Sequence, residues 1–164
     1  MPTIQGVLDE WYLRVSVTQR AHYLSADHFG RRKYWLGIPA VVLATIVGTS
    51  VFATLSKEPD MWLRIAIGLA SVAAAVLTSL QTFMGYPERA EKHRLAGARY
   101  GALGREMETL RASMENVTAG DMDRVRGRLD TLAVESPNNP QWIYKKAGAG
   151  SLESPGAPAL TETR

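Results

Sequence analysis

Hydrophobic positions along this chain form two unbroken runs and three periodic stripes. From Tyr34 to Ser56 the sequence YWLGIPAVVLATIVGTSVFATLS carries no charge. At about 1.5 Å per residue it reaches across a hydrocarbon core of roughly 30 Å. A second uncharged run, IAIGLASVAAAVLTSLQTFMGYP from Ile65 to Pro87, is as long but richer in alanine, serine and threonine. Transmembrane helices are predicted over 34–56 and 65–87. Two buried helices of a soluble bundle would have the same length, but two consecutive uncharged runs in so short a chain favour the membrane. A cleaved signal peptide fits worse, because the first run begins behind a long polar segment and no small-residue cleavage pattern follows. Only SKEPDMWLR separates the runs, so they must turn back on each other as a hairpin.

The stripes lie outside the hairpin. Ile4, Val7, Leu8, Trp11 and Val15 recur at spacings of three and four and predict a helix over 4–30, with Thr3 as its N-cap. Beyond the second run, Pro87 suits a first helical turn and Glu88 and Glu91 suit its positive end. Ala96, Tyr100, Leu103, Met107, Leu110, Met114 and Val117 then alternate steps of four and three, the heptad spacing of a packed seam, and predict a helix over 88–117. Thr118 and Asp121 have the spacing of a capping box, and Met122, Val125, Leu129 and Leu132 mark a fold-back helix over 119–134. The segment PQWIYKK at 140–146 is aromatic and basic; it suits either an anionic membrane surface or a groove in the bundle. Residues 1–145 are expected to be the folded part and 146–164 a disordered tail with little to bury.

Composition alters this picture in two respects. Of the 164 residues 46% are hydrophobic, yet the mean hydropathy is only −0.12, because the polar segments offset the spans. There is no cysteine, which excludes disulfides, thiolate metal sites and a cysteine nucleophile. The net charge of +3 is too small for a nucleic-acid footprint, and nucleic acid is not expected as a partner. Its distribution matters more. Arg14, Arg20, Arg31, Arg32 and Lys33 precede the first span and Arg89, Lys92, Arg94, Arg99 and Arg105 follow the second, whereas the connection holds only Lys57 and Arg64. The positive-inside rule then puts both termini in the cytoplasm of a multi-pass protein of the inner (plasma) membrane, with Tyr34, Trp35, Trp62 and Tyr86 at the interfaces. The expected fold is an all-α membrane protein: a helical hairpin whose N- and C-terminal cytoplasmic helices form a stalk or bundle. Arg32 among its basic neighbours and Glu88 lie at matching depths and are candidates for setting the register of that stalk.

Candidate chemistry is sparse. His22, His28 and His93 have no metal-ligand spacing. His22 and His93 lie near corresponding depths beside the spans, close enough to meet in the stalk and respond to pH, although a packed histidine is the simpler role. The glycines of GARYGALG (97–104) lack the Lys-Ser/Thr and the preceding strand of a phosphate loop, so close helix packing accounts for them better. No nucleophile sits beside a base. An enzyme is not expected, and neither a metal nor a cofactor.

Within the spans, Ala40, Ala44 and Gly48 repeat every fourth residue and favour close helix contact. Thr45 and Thr49 in the first span, and Ser71, Thr78, Gln81 and Thr82 in the second, form weakly polar stripes. These hydroxyls either bond their own backbone or a neighbouring helix, or they line a pore. Neither span contains an ionisable side chain other than the interfacial tyrosines, which argues against a proton-coupled transporter and a voltage sensor. Two helices cannot enclose a pore, so conduction would need a homo-oligomer.

The order of parts, a polar helix with AHYLSADHFGRRKYWLGIP, a hairpin, SLQTFMGYPERAEKHRLAGARYGALGREMETL and a fold-back helix, resembles the SLATT family over roughly residues 5–145. AEKHR with Tyr100 and Arg105-Glu106 carries most of the likeness. The resemblance implies a two-helix membrane effector of bacterial conflict systems, associated with nucleotide-synthesising enzymes or nucleotide-sensing domains and forming pores that disrupt the membrane or arrest growth. By position it implies that His93 and Tyr100 are the family's recurrent pair, with Gln81 near the inner end of the second span. Together with His22 they are candidate gating residues. The tail is too short and polar for a sensor domain, so a trigger would have to come from another protein or a ligand. The competing expectation is a non-conducting membrane anchor that recruits a cytoplasmic partner through its helical bundle.

Overall fold

A computed structural model describes residues 3–54 and 60–152, with side chains at 3–50 and 60–149. Among the described residues there are five α-helices and no strand: α1 Ile4–Thr54, α2 Met61–Met84, α3 Tyr86–Ala112, α4 Ala119–Glu135 and α5 Gln141–Leu152, with a 3-10 turn at Met114–Asn116. Lys57, counted above with the connection, and the end of the expected first span lie outside the described side chains.

Several expected boundaries are corrected. The helix expected at 4–30 and the span expected at 34–56 are one element, α1. Nothing between them stops a helix: Arg31, Arg32 and Lys33 are good helix formers, and a single Gly30 costs only about 1 kcal/mol. The second span begins earlier and ends earlier than 65–87, because Gly85 takes φ 56°, ψ 32° and closes α2 with a left-handed residue. Tyr86 and Pro87 therefore open α3, where a missing proline N–H is harmless. The helix expected to reach 117 stops at Ala112, and Ser113 at φ −123°, ψ 41° leads into the 3-10 turn.

The contacts divide the chain into two units. One combines the part of α1 up to Asp27 with everything from Ala90 onward; the other spans His28–Arg89.

In the first unit, the three stripes meet. Leu8 and Val15 from α1, Tyr100, Leu103 and Met107 from α3, and Val125 and Leu132 from α4 make one core, with Trp11, Tyr12, Leu110, Met114, Met122 and Leu129 packed around it. Burying each such side chain contributes about 1.5–3 kcal/mol. Helix ends are capped as expected: Gly6 N donates to Thr3 Oγ1 at 3.1 Å, and Thr118 and Asp121 exchange both bonds of a capping box. The tail expected from 146 is corrected in part. Helix α5 continues to Leu152 because Ile143 and Ala147, one turn apart, are both fully buried, so 140–146 fills a groove in the bundle. Residues 153–164 lie outside the described residues.

The second unit is the hairpin of the remaining α1 and α2. Leu36, Gly37, Ala40, Leu43 and Val47 form the inner face of α1, and Ile67, Ala70, Ala74, Leu77 and Gln81 that of α2. Among the described side chains of α2 and of α1 from residue 34 onward, only Ala40 and Ala74 are buried. The expected small-residue stripe is thus used at Ala40 but not at Ala44 or Gly48, which are exposed; no side chain comes within 4 Å of where a Cβ on Gly48 would stand. Close approach occurs at Gly37, where a Cβ would meet Gln81 Oε1 at 3.3 Å.

Candidate functional site

The antiparallel seam between α1 and α3 positions the only buried titratable cluster among the described residues. Three glycines of α3 set the spacing. A Cβ on Gly97 would meet the Tyr23 ring at 3.3 Å, one on Gly101 the Gln19 Nε2 at 2.6 Å, and one on Gly104 the Val15 Cγ1 at 3.7 Å. The glycines therefore do serve helix packing, as their sequence context suggested. At this separation the side chain of His22 enters the seam from α1 and those of His93 and Tyr100 enter from α3.

All three are buried, with His22 only 1% exposed. The Nδ1 atoms of the two histidines are 3.0 Å apart, and the His22 ring stacks on Tyr100 with centroids 5.4 Å apart and planes 17° from parallel. A 3.0 Å contact between two imidazole nitrogens needs one proton between them, so one ring donates from Nδ1 and the other accepts. Two imidazolium rings would point two N–H groups at each other. Burial, reinforced by the field of His93, lowers the His22 pKa to about 4, and burial lowers that of His93 as well. Burial pushes the Tyr100 phenol up, against the opposing effect of its hydrogen bond with Ser136. The cluster is a neutral, proton-sharing pair sealed by an aromatic ring.

Sequence reasoning missed the polar continuation of this cluster. Ser25, one turn beyond His22 on α1, is completely buried and donates from Oγ to Asn139 Oδ1 at 2.8 Å, tying the α4–α5 connection to α1. Its i+3 spacing from His22 was the available signal. It also missed the other end of the seam, where Tyr12 Oη donates to Glu108 at 2.6 Å and Arg111 lies over the Tyr12 ring at 4.7 Å with its Nε 2.7 Å from Asp9. On the α4 side, Arg99 pairs with Glu135 at 2.7 Å and Glu106 with Arg124 and Arg128. These pairs are largely exposed and each contributes about 0–1 kcal/mol. A groove of about 430 Å³ on this unit is bordered by Trp11, Arg14, Thr18, Arg126, Asp130 and Tyr144. No group of three or more potential metal ligands occurs among the described residues.

The candidate residues of the spans are placed differently. Thr45 and Thr49 donate to the carbonyls of Val41 and Thr45 at 2.8 and 2.9 Å, and Thr78 and Thr82 to those of Ala74 and Thr78 at 2.9 and 3.1 Å. Each hydroxyl is satisfied by its own helix. Thr45, Thr49, Ser71, Thr78 and Thr82 are exposed, whereas Gln81 is half-buried against Gly37. Ser71, Thr78 and Thr82 sit on a flank of α2 beside its packed face. Arg32 belongs to the hairpin unit, where its charge, after burial, lowers the pKa of His28. Glu88 is exposed in the first turn of α3. The structure thus gathers His22, His93 and Tyr100 into one site and does not place Arg32 or Glu88 in it.

Both apolar helices are long enough to cross a membrane. A family model described as SMODS and SLOG-associating 2TM effector domain family 4 matches residues 4–148. No curated protein and no solved structure matches the chain.

Proposed function

Because the chain belongs to the SMODS and SLOG-associating 2TM effector domains, we propose that it is a homo-oligomeric membrane effector of bacterial defence, in which the hairpins of several copies enclose a conduit. It acts by membrane disruption or growth arrest rather than by catalysis. The observation that carries this reading is the weakly polar flank of α2: Ser71, Thr78 and Thr82 are exposed on the hairpin, while Ala74 alone of that helix is buried. An isolated hairpin leaves that flank to lipid, and a ring of hairpins turns it towards water. Hydroxyls already bonded to their own carbonyls still accept from water through a second lone pair. Both termini are assigned to the cytoplasm of the inner membrane, so that the bundle of α1, α3, α4 and α5 assembles the ring and holds it shut until a signal arrives from a nucleotide-synthesising or nucleotide-sensing partner.

The alternative is a non-conducting anchor whose bundle recruits a soluble partner. The groove bordered by Trp11, Arg126 and Tyr144 favours it as a docking surface. Conductance of the purified protein in planar bilayers separates the two. Discrete events that Thr78→Leu and Gln81→Leu alter support the conduit. A sized, stable oligomer that stays silent with partner and nucleotide present excludes it and leaves the anchor.

A further inference from the structure

A second groove, of about 510 Å³, lies on the hairpin, and its lining is amphiphilic. Leu36, Leu80 and the 80%-exposed Trp35 form an apolar wall, while Arg31, Arg32 and His28 gather at one end beside Tyr86. Among the described residues Arg31 and Arg32 form no ion pair. We propose that this groove is a binding site for an anionic phospholipid, with its phosphate on the Arg31 and Arg32 guanidinium groups and an acyl chain along Trp35, Leu36 and Leu80.

The chemistry of the lining selects this occupant. Guanidinium groups pair with phosphate oxygens through parallel N–H bonds and desolvate more readily than ammonium groups. Basic pockets between spanning helices are suited to acidic headgroups. A soluble phosphate would satisfy the arginines but leave the apolar wall uncovered. A span from a second copy would cover the wall but brings no carboxylate of its own, because neither 34–56 nor 65–87 contains one, and Glu88 just beyond already has a partner. A lipid satisfies both ends at once, and Tyr86 and Trp35 stand where aromatic rings favour the headgroup level. The inference rests on unit 2 being embedded in a bilayer and is independent of whether the protein conducts.

The test uses the full chain in nanodiscs of phosphatidylcholine containing phosphatidylglycerol, with retained lipids counted by native mass spectrometry. Wild type should retain phosphatidylglycerol in preference to phosphatidylcholine. Loss of a basic residue at the membrane surface weakens such binding roughly fivefold, so Arg31→Gln/Arg32→Gln should lower the preference about 25-fold. Arg124→Gln/Arg128→Gln, which removes the same charge from α4, should leave it unchanged. Soluble glycerophosphoglycerol should not compete at matched concentration. Equal retention of the two lipids by wild type, or an unchanged preference in the Arg31/Arg32 variant, overturns the site. Full competition by the soluble headgroup overturns the lipid as occupant and leaves a phosphate site. Crosslinking of a second copy through Trp35→Cys with lipid absent from the groove assigns it to an interface instead. Carbonate-resistant retention in vesicles is scored on the same variants: its loss overturns the bilayer reading, whereas its persistence without lipid preference overturns the lipid site alone.

Discussion

His22 and His93, 71 residues apart in the chain, meet Nδ1 to Nδ1 at 3.0 Å inside the seam between α1 and α3. The contact exists only while at least one facing nitrogen is unprotonated. It makes the seam the point at which acid acts on the bundle.

The sign follows from the depressed pKa values. The unfolded chain takes up protons near 6.5, whereas His22 in the fold holds out to about 4, so between these values the unfolded state binds more protons. The contribution of the histidine pair to stability is complete above about pH 6.5 and falls as the pH drops towards 4. Thermal unfolding in detergent across this range should show the loss, and His22→Gln, which keeps hydrogen-bonding capacity without titrating, should flatten it. An identical slope in the variant would assign the pH dependence to other groups.

Glycine spacing gives a prediction of opposite signs on one helix. Gly97→Val forces a branched side chain against the Tyr23 ring, which already lies at Cβ contact distance, and should destabilise by about 1–3 kcal/mol. Gly104→Ala meets Val15 at an ordinary 3.7 Å and should stabilise by up to about 1 kcal/mol through helix propensity. Chemical denaturation of the two variants in the same detergent compares them directly.

Leu103 is fully buried in the core of the first unit, in one cluster with Leu8 and Met107. Leu103→Ala should cost about 2–5 kcal/mol. Val134→Ala on the outer face of α4, 87% exposed, should change stability by less than about 0.5 kcal/mol. Similar losses in both would mean that α4 presents a different face to the bundle.

Helix α5 is held by two side chains, Ile143 and Ala147. Ala147→Arg places a charge where no exposure remains and should release the helix, making Lys145 and Lys146 sites of rapid tryptic cleavage. Trp142→Ala, at a half-exposed position, should leave cleavage slow. Limited proteolysis followed by mass spectrometry reads both.

The elements of the bundle were legible because each carries its own periodic stripe. Leu8 and Val15, Leu103 and Met107, and Val125 and Leu132 are buried where the spacing put them. The capping box at Thr118 was legible for the same local reason. Helix α5 was not, since glycine and alanine surround Ile143 and Ala147 and leave no stripe to count. Nor was the break at Gly85, because the uncharged run continues through it and only a left-handed φ marks the end of α2. At the candidate site, matching depth beside the spans brought His22 and His93 near each other; it gave no sign of the bond between Ser25 and Asn139.

The sequence by itself determined that two uncharged helices must be adjacent and antiparallel, and that three amphipathic helices must share a core, because burying apolar surface is demanded residue by residue. Only the tertiary structure decided which small residues bring helices together. Gly97, Gly101 and Gly104 meet Tyr23, Gln19 and Val15, while Ala44 and Gly48, equally small, face outward. Register between two helices depends on the fit of both surfaces at once. That relation exists at no single position of either stripe, and from it come the 3.0 Å histidine pair, the buried Ser25 and the site they form.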